Sequence, residues 1–291
     1  MLNLSNEKSF DAPYLGQYLE ALLPLERKPV GVKFLFTEEE YDNSPLEPLE
    51  RTIPYCTAVR DAMQGKSRKL SWENFACTAS AYALGIEERD SAYFDGRRSF
   101  GKGSYANLGV GRRMYKKVEY CGHRIFAVEI AELNEFNDRD PDVVIIVSEA
   151  KTAMRTSQAY AYHLGYVENI RLSGMCAVCH ELTAYPYETG DINLSLMCSG
   201  TRKLAQWKEE ELGLGFPYPM TRVIVDGLLK TVNPLERDKA KAAIEERAKK
   251  FHLCDSINIV YGKNYDDGSM RTSEDMCPSK ASVQCSEDCS C

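Results

Sequence analysis

The spacing of apolar residues along the chain predicts alternating helices and strands. Residues 11–25 carry apolar side chains at helical spacing, and Asp11 stands where an N-cap is expected. Residues 29–36 are rich in β-branched and aromatic side chains, which is typical of a strand. Residues 142–148 are continuously apolar, as in a strand buried on both faces. This alternation indicates a fold of the α/β class or of the α+β class.

Further elements complete this pattern and suggest how the chain is organised. Strands are predicted at residues 124–131 and 168–172. Helices are predicted at residues 56–63, 71–85, 149–164, 204–212, 220–229 and 235–251. We predict one globular domain over residues 1–262, built from two loosely repeated halves at about 10–120 and 121–262. Residues 263–291 are polar and rich in cysteine, and we interpret them as a tail without a core of its own.

Composition narrows the class of protein. The chain has 291 residues, of which 44% are hydrophobic and 27% charged, as expected for a globular protein. It contains neither an apolar run long enough to cross a membrane nor an N-terminal secretory pattern, so a cytoplasmic location is expected. The net charge of −7 argues against binding to nucleic acid or to an anionic membrane.

Eleven cysteines are the strongest chemical signal in the sequence. Without an export signal, metal, cluster or thiol chemistry in a reducing cytoplasm is a better interpretation than structural disulfides. The four histidines form no HExxH or HxxxH pattern. If the protein binds a metal, sulfur is therefore the expected ligand.

A weak internal repeat relates two cysteine pairs. In one segment Cys56 is followed by Gly65 and then by Cys77. In the other, Cys176 is followed by a glycine and then by Cys198, at nearly the same separation. Coincidence in a helix-rich chain is one explanation. If the repeat is real, two half-sites bring four thiolates to one centre.

Four such thiolates are the usual ligands of an iron–sulfur cluster, and a 4Fe–4S cluster is the expected cofactor. Zinc is the alternative, although structural zinc sites usually draw on closely spaced cysteine pairs. Cys176 and Cys179 form a Cys-x-x-Cys motif, which can act as a redox dithiol or give two ligands to one site. Simple burial of small apolar thiols remains a competing explanation.

Several short motifs resemble an uncharacterised prokaryotic family, the domain of unknown function 169, also called ArCR. They are Arg27-Lys-Pro-Val-Gly-Val-Lys33, Pro-Tyr-Cys56, Ala-Cys77 and Cys198-Ser-Gly-Thr-Arg202. The resemblance covers about residues 15–230. It implies a cytoplasmic protein, frequent in archaea and anaerobic bacteria, and no established activity. It also implies that the recurrent cysteines are Cys56, Cys77, Cys176 and Cys198, with Arg202 beside the last and Cys179 as an extra neighbour.

The tail forms a separate candidate site. Cys277, Cys285, Cys289 and Cys291 lie close together among polar residues, in a spacing that matches neither of two common ferredoxin patterns. Their polar surroundings argue against a packing role, so a second metal or cluster site is predicted. A flexible redox or metal-relay arm, and oxidation-prone thiols without function, are the alternatives.

Residues 97–117 form a basic, glycine-rich segment that carries no acidic residue. Glycine lets backbone N–H groups approach an anion, and arginine can grip one with two hydrogen bonds. The segment predicts binding of a phosphate-bearing ligand or of an acidic partner such as a ferredoxin, with a solvated loop as the alternative. The candidate anion-binding residues are Arg97, Arg98, Lys102, Arg112, Arg113 and, beside the last core cysteine, Arg202.

The leading hypothesis is a cytoplasmic iron–sulfur protein of an anaerobe, active in electron transfer or in reductive chemistry on a small ligand. The sequence does not decide whether it is an enzyme; if so, it is a cluster-dependent oxidoreductase. The expected partner is a small electron-carrier protein or a small molecule, and a homo-oligomer is left open. Two alternatives are a metal- or sulfur-trafficking protein that uses the tail, and a zinc-stabilised anion-binding module.

Overall fold

The computed structural model describes residues 11–88 and 91–262, which contain six strands and twelve α-helices. The strands are β1 (Val30–Leu35), β2 (Arg68–Ser71), β3 (Ala127–Glu132), β4 (Val143–Ser148), β5 (Asn193–Ser195) and β6 (Leu212–Pro217). The α-helices are α1 (Ala12–Leu22), α2 (Glu38–Asn43), α3 (Tyr55–Ala62), α4 (Thr78–Ala83), α5 (Ser91–Phe94), α6 (Arg97–Gly101), α7 (Leu108–Tyr115), α8 (Ala150–Leu164), α9 (Tyr185–Thr189), α10 (Ser199–Leu204), α11 (Met220–Leu235) and α12 (Asp238–Lys250). A π-helix spans Ala177–Ala184.

One sheet contains all six strands, in the order β2-β3-β1-β4-β6-β5, and every neighbouring pair is antiparallel. The predicted mixture of helices and strands is therefore confirmed, and the antiparallel pairing makes it an α+β fold. Asp11 caps α1 as predicted, because its carboxylate accepts a hydrogen bond from the backbone N–H of Tyr14 at 2.9 Å.

The central strand β4 shows how the sheet is covered by helices. All six of its residues are buried, as the continuous apolar pattern predicts. Its alternating side chains enter two different cores, with Val144 on one side and Val143 on the other. We call the first side the long-helix face, because α1, α8, α11 and α12 cover it. The second is the short-helix face, which is covered by α3, α4 and the π-helix.

The strand order repeats between the two halves of the chain. From edge to centre, the first half runs β2-β3-β1 and the second runs β5-β6-β4. The central strands β1 and β4 pair Val30 with Ile145 and Val32 with Val143, on either side of a pair formed by Gly31 and Val144. The first residue of each central strand therefore pairs with the third residue of the other, so the pairing is symmetric. The first repeated unit thus ends with β3, and the second begins with β4.

Strand β6 and the segments near it differ from the sequence prediction. The helix predicted at residues 204–212 is absent; α10 ends at Leu204, and β6 begins at Leu212. The strand predicted at residues 168–172 is also absent. Strand β6 is hard to foresee because glycine alternates along it, and glycine is unfavourable in strands unless another backbone approaches closely.

The π-helix makes that close approach. A Cβ atom at Gly215 of β6 would lie 2.2 Å from the carbonyl oxygen of Leu182 in the π-helix. At Gly213 a Cβ atom would lie 2.3 Å from the Leu182 side chain. The two glycines therefore let the π-helix pack directly on the sheet.

The described part of the chain contains no helix that is both long enough and apolar enough to span a lipid bilayer.

Candidate functional site

The four core cysteines predicted as ligands all lie at the starts of helices. Cys77, Cys176 and Cys198 are the N-cap residues of α4, the π-helix and α10. Cys56 lies in the first turn of α3. The start of a helix presents unpaired backbone N–H groups and the positive end of the helix dipole. Of the three N-cap cysteines, Cys198 uses this position, because its sulfur accepts a hydrogen bond from the backbone N–H of Thr201.

These cysteines occupy corresponding places in the repeated strand order. Cys56 and Cys77 lie before and after the edge strand β2, and Cys176 and Cys198 lie before and after the edge strand β5. Between the members of each pair the chain turns at a glycine with a positive φ, +80° at Gly65 and +71° for its counterpart in the second half. The repeat of cysteine and glycine in the sequence thus has a counterpart in the fold.

Hydrogen bonds from α3 draw the two halves of the site together. The hydroxyls of Tyr55 in α3 and Thr183 in the π-helix are 3.0 Å apart. At the other end of α3, Arg60 donates from Nη1 to the carbonyl oxygen of Ala205 at 3.1 Å, just after α10. Helix α3 therefore lies between the helices that carry the cysteines of the second half.

The thiols influence one another electrostatically. Burial raises the pKa of Cys56 to about 11, and the neighbouring thiols of Cys198 and Cys77 raise it as well. Burial likewise raises the pKa of Cys176 to about 12, and the same two cysteines contribute to the increase. The four predicted ligands therefore share one neighbourhood, although they come from distant parts of the chain.

Cys179 belongs to the same neighbourhood. Burial raises its pKa well above the ordinary value, and the thiols of Cys77, Cys176, Cys198 and Cys56 each raise it further. Its Sγ atom is also 3.3 Å from Nδ1 of the adjacent histidine. The extra cysteine of the Cys-x-x-Cys motif thus lies within electrostatic reach of all four predicted ligands.

Thr201 links two of the thiols. Its hydroxyl oxygen is 3.1 Å from the sulfur of Cys198, and its backbone N–H donates to the same sulfur at 3.4 Å. A hydrogen bond between Thr201 and Cys56 lowers the pKa of Cys56, against the larger effect of burial. Sequence analysis did not identify Thr201, although its place three residues after an N-cap cysteine is the usual position of a capping contact.

The cysteine neighbourhood has a definite chemical character. Thiols with raised pKa values are protonated near neutral pH and are weak nucleophiles. A soft metal or a cluster changes this, because coordination displaces the thiol proton. Within residues 11–88 and 91–262, however, no three His, Cys, Asp or Glu side chains are arranged to hold a metal ion. Coordination by these cysteines therefore requires their side chains to turn toward a common centre.

The π-helix is the main feature of the site that sequence analysis missed. π-Helices are rare and occur often at functional sites. The backbone N–H of Glu181 donates to the carbonyl oxygen of Cys176, five residues earlier, at 3.3 Å, which is the hydrogen-bond spacing of a π-helix. No residue pattern specifies this geometry, because glycines of the distant strand β6 provide the room for it.

Tyrosines surround Cys176 and were not singled out from the sequence. Tyr82, Tyr93 and Tyr115 form a small buried cluster with this cysteine. A hydrogen bond from Tyr93 lowers the pKa of Cys176, although burial has the larger, opposite effect. Cys176 therefore has a hydrogen-bond donor beside its sulfur.

The residues predicted to bind an anion do not share one environment. The guanidinium of Arg202 donates to the carbonyl oxygens of Leu196 at 3.3 Å and Glu211 at 2.6 Å, and also to that of Lys208. Arg97 donates to a carboxylate oxygen of Asp95 at 2.7 Å. The remaining candidates are exposed on α6, on α7 or just after α6: Arg98, Lys102, Arg112 and Arg113. Arg202 thus braces a loop beside Cys198, and the basic segment lies at the surface.

The tail cysteines Cys277, Cys285, Cys289 and Cys291 lie outside the described residues, so the second predicted site stays a prediction. Among the other cysteines, Cys121 is buried and Cys254 is exposed.

The chain matches a protein family that is described as uncharacterised. The model of the family described as uncharacterised ArCR, the domain of unknown function 169, matches residues 18–227. An uncharacterized protein of Methanocaldococcus jannaschii is 26% identical over 212 residues, which is 72% of this chain and 90% of that protein. No solved structure matches the chain.

Proposed function

The chain belongs to the uncharacterised ArCR family, and for this member we propose that the cysteine neighbourhood binds an iron–sulfur cluster. The resemblance found in the short sequence motifs is confirmed, and the matched residues include Cys56, Cys77, Cys176 and Cys198. The proposed role is electron transfer, or reductive chemistry on a small ligand. In either role an electron enters from a reduced carrier protein and leaves to an acceptor.

One observation carries this proposal. Five thiols come from four separate helix starts, and the pKa values of Cys56, Cys176 and Cys179 are each raised by neighbouring thiols of this group. Ordinary burial of cysteine as a small apolar residue does not require such a gathering. Clusters, by contrast, are bound by four protein ligands, which are most often thiolates.

The charge balance of the site also favours a positively charged occupant. Several thiolates near one another are destabilised by burial and by mutual repulsion, as the raised pKa values of Cys56 and Cys176 indicate. Iron offsets both effects, because it binds the sulfurs as thiolates. Hydrogen bonds lower this cost further: Cys198 accepts one from the backbone N–H of Thr201, Cys56 contacts the Thr201 side chain, and Cys176 contacts Tyr93.

The five thiols exceed the four that a cluster needs, and the π-helix region supplies two of them. Cys176 is the ligand that the repeat predicts, whereas Cys179 is the thiol within reach of all the others. Our proposal assigns Cys56, Cys77 and Cys198 as ligands, with the fourth supplied by Cys176. If only three bind, one iron remains open to a small ligand.

The test begins with the full chain, purified without oxygen and assayed for iron and acid-labile sulfide. We expect stoichiometric iron and sulfide, with loss of both in Cys77→Ser and retention in the matched control Cys254→Ser. Removing residues 263–291 separates the core site from the tail, and we expect the core to keep its iron. Comparing Cys176→Ser with Cys179→Ser identifies the fourth ligand.

Two outcomes would contradict the proposal. Zinc without sulfide would favour the zinc-stabilised module. Iron that disappears when residues 263–291 are removed, yet persists in Cys77→Ser, would place the site in the tail and favour the trafficking alternative.

A further inference from the structure

A cavity of about 430 Å³ lies beside the cysteine neighbourhood. One wall comes from α7 and the residues around it, and the other comes from residues 170–173 and the π-helix. This volume falls within the range of small-molecule sites.

The cavity shares a wall with the tyrosine cluster around Cys176. Tyr105 and Met114 line the cavity, and both also pack against that cluster. The thiol of Cys176 also contributes to raising the pKa of Tyr105, after burial and after Tyr115. The side chains of Tyr105 and Met114 therefore form a wall between the cavity and the cluster around Cys176.

The hydroxyl of Tyr105 can form a hydrogen bond that it does not form within the described residues. Its oxygen is buried and has no hydrogen-bond partner among the described residues. Leaving a buried hydroxyl without a partner is unfavourable, so such groups in native proteins usually have a hydrogen-bond partner or an ordered water beside them. By contrast, the Glu181 carboxylate at the same cavity already accepts hydrogen bonds from Ser173 and Ser195.

The rest of the lining combines apolar walls with two cations. Lys117 and Arg171 are exposed at the cavity, and within the described ranges neither forms an ion pair with a carboxylate. Arg171 contacts the hydroxyl of Tyr185, and Glu119 adds one carboxylate to the lining. The apolar walls consist of Val110, Met114, Val118, Ile170 and Leu172.

We propose that this cavity binds a small organic acid. Its carboxylate pairs with Lys117 and Arg171, its apolar body lies between α7 and residues 170–172, and a polar atom at its inner end meets the Tyr105 hydroxyl. Binding of the acid to the cavity does not depend on the proposed function. The role of the acid as the small ligand of an iron–sulfur protein does rest on it.

The test is a calorimetric titration of the full chain with acids of increasing apolar size: acetate, butanoate, 4-methylpentanoate and 3-phenylpropanoate. We expect affinity to rise along this series, because each added methylene buries apolar surface. We also expect 3-phenylpropanamide, which lacks the charge, to bind at least tenfold more weakly than the acid. Lys117→Gln and Arg171→Gln should each weaken binding of the acid about tenfold, whereas the neighbouring exposed Lys116→Gln should not change it.

A second titration tests the proposed contact between the ligand and the hydroxyl of Tyr105. We expect 3-(4-hydroxyphenyl)propanoate to bind more tightly than 3-phenylpropanoate to the unmodified chain. Tyr105→Phe should remove this difference and leave the binding of 3-phenylpropanoate unchanged.

The proposal would be overturned if none of the acids showed saturable binding, or if the acid and its amide bound equally well. Titration of both the metal-free and the iron-loaded protein separates this result from the proposed function. Binding of the acid to the metal-free protein supports the proposed cavity even if the cluster is disproved. Iron binding without binding of the acid supports the cluster and contradicts the proposed cavity.

Discussion

The two faces of the sheet are built from helices of different length. On the long-helix face, α1, α8, α11 and α12 have 11, 15, 16 and 13 residues. The helices that carry the cysteines are shorter: α3 and the π-helix have 8 residues, and α4 and α10 have 6. Such short helices are not stable alone, so neighbouring elements must stabilise them.

The thiols follow the same division, whereas the ion pairs do not. On the long-helix face, Arg155 donates to a carboxylate oxygen of Glu236 at 2.6 Å, and on the short-helix face Arg60 donates to one of Asp61 at 2.6 Å. The short-helix face also gathers thiols at helix starts, where backbone N–H groups are available. Short helices place more helix starts on a given area of sheet. Both faces therefore have a packed core, and the short-helix face adds the candidate chemistry.

The largest expected effect comes from two matched glycine substitutions, one on each face. A Cβ atom at Gly215 would lie 2.2 Å from the carbonyl oxygen of Leu182, and one at Gly227 would lie 2.2 Å from that of Ala159. Gly215→Ala and Gly227→Ala should each lower the free energy of unfolding by about 3 kcal/mol, because overpacking forces backbone shifts. Urea denaturation measures this loss. Only Gly215→Ala should also reduce bound iron, since only it displaces the π-helix.

Equal iron contents in the two folded variants would contradict the assignment of chemistry to the short-helix face.

A pH-dependent effect of intermediate size should also come from the short-helix face. The ordinary pKa of a cysteine thiol is 9.0, and in the folded protein burial raises that of Cys56 to about 11. Below pH 9 both the folded and the unfolded chain keep this proton. Between pH 9 and pH 11 only the folded chain keeps it, so the free energy of unfolding falls as pH rises, by about 1.4 kcal/mol per pH unit for one thiol.

Urea denaturation of the metal-free protein from pH 8 to pH 11 measures this dependence. Cys56→Ala should show a shallower fall than the unmodified chain, and the control Cys254→Ala should follow the unmodified chain. If Cys56→Ala and the unmodified chain had equal slopes, Cys56 would not be protonated in the way described.

The smallest expected effect comes from a matched pair of threonines. Thr201 contacts the sulfur of Cys198 on the short-helix face, whereas Thr231 accepts a hydrogen bond from Arg155 at 3.0 Å on the long-helix face. Thr201→Val and Thr231→Val should each cost about 1 kcal/mol of stability, because each removes a buried hydroxyl and its hydrogen bonds. Only Thr201→Val should raise the pKa of Cys56, since it removes a hydrogen bond that lowers this pKa.

The rate of thiol alkylation as a function of pH measures that pKa in metal-free protein. An equal shift of the alkylation profile in Thr231→Val and Thr201→Val would contradict a specific hydrogen bond between Thr201 and Cys56.

Much of the fold could be predicted because it depends on local patterns. Helix α1 with its Asp11 cap and the buried strand β4 follow from the spacing of apolar residues within each segment. Strand β6 could not be predicted in this way. Its glycines are explained only by Leu182, which packs against them from the π-helix.

The candidate site likewise has features that the sequence predicts and features that it does not. The order of Cys56, Cys77, Cys176 and Cys198, and the glycines between the members of each pair, are visible in the sequence. The contact of Thr201 with Cys56 and the tyrosines around Cys176 were not identified, because these contacts join residues of different elements.

Local sequence patterns specify the mixed class, most of the helices and strands, the family and the cysteines proposed as ligands. The antiparallel sheet, its repeated strand order and the gathering of the cysteines on one face emerge only from the tertiary fold. The reason is physical: periodicity and capping act within a few residues, whereas strand pairing and the convergence of helix starts depend on contacts between distant segments.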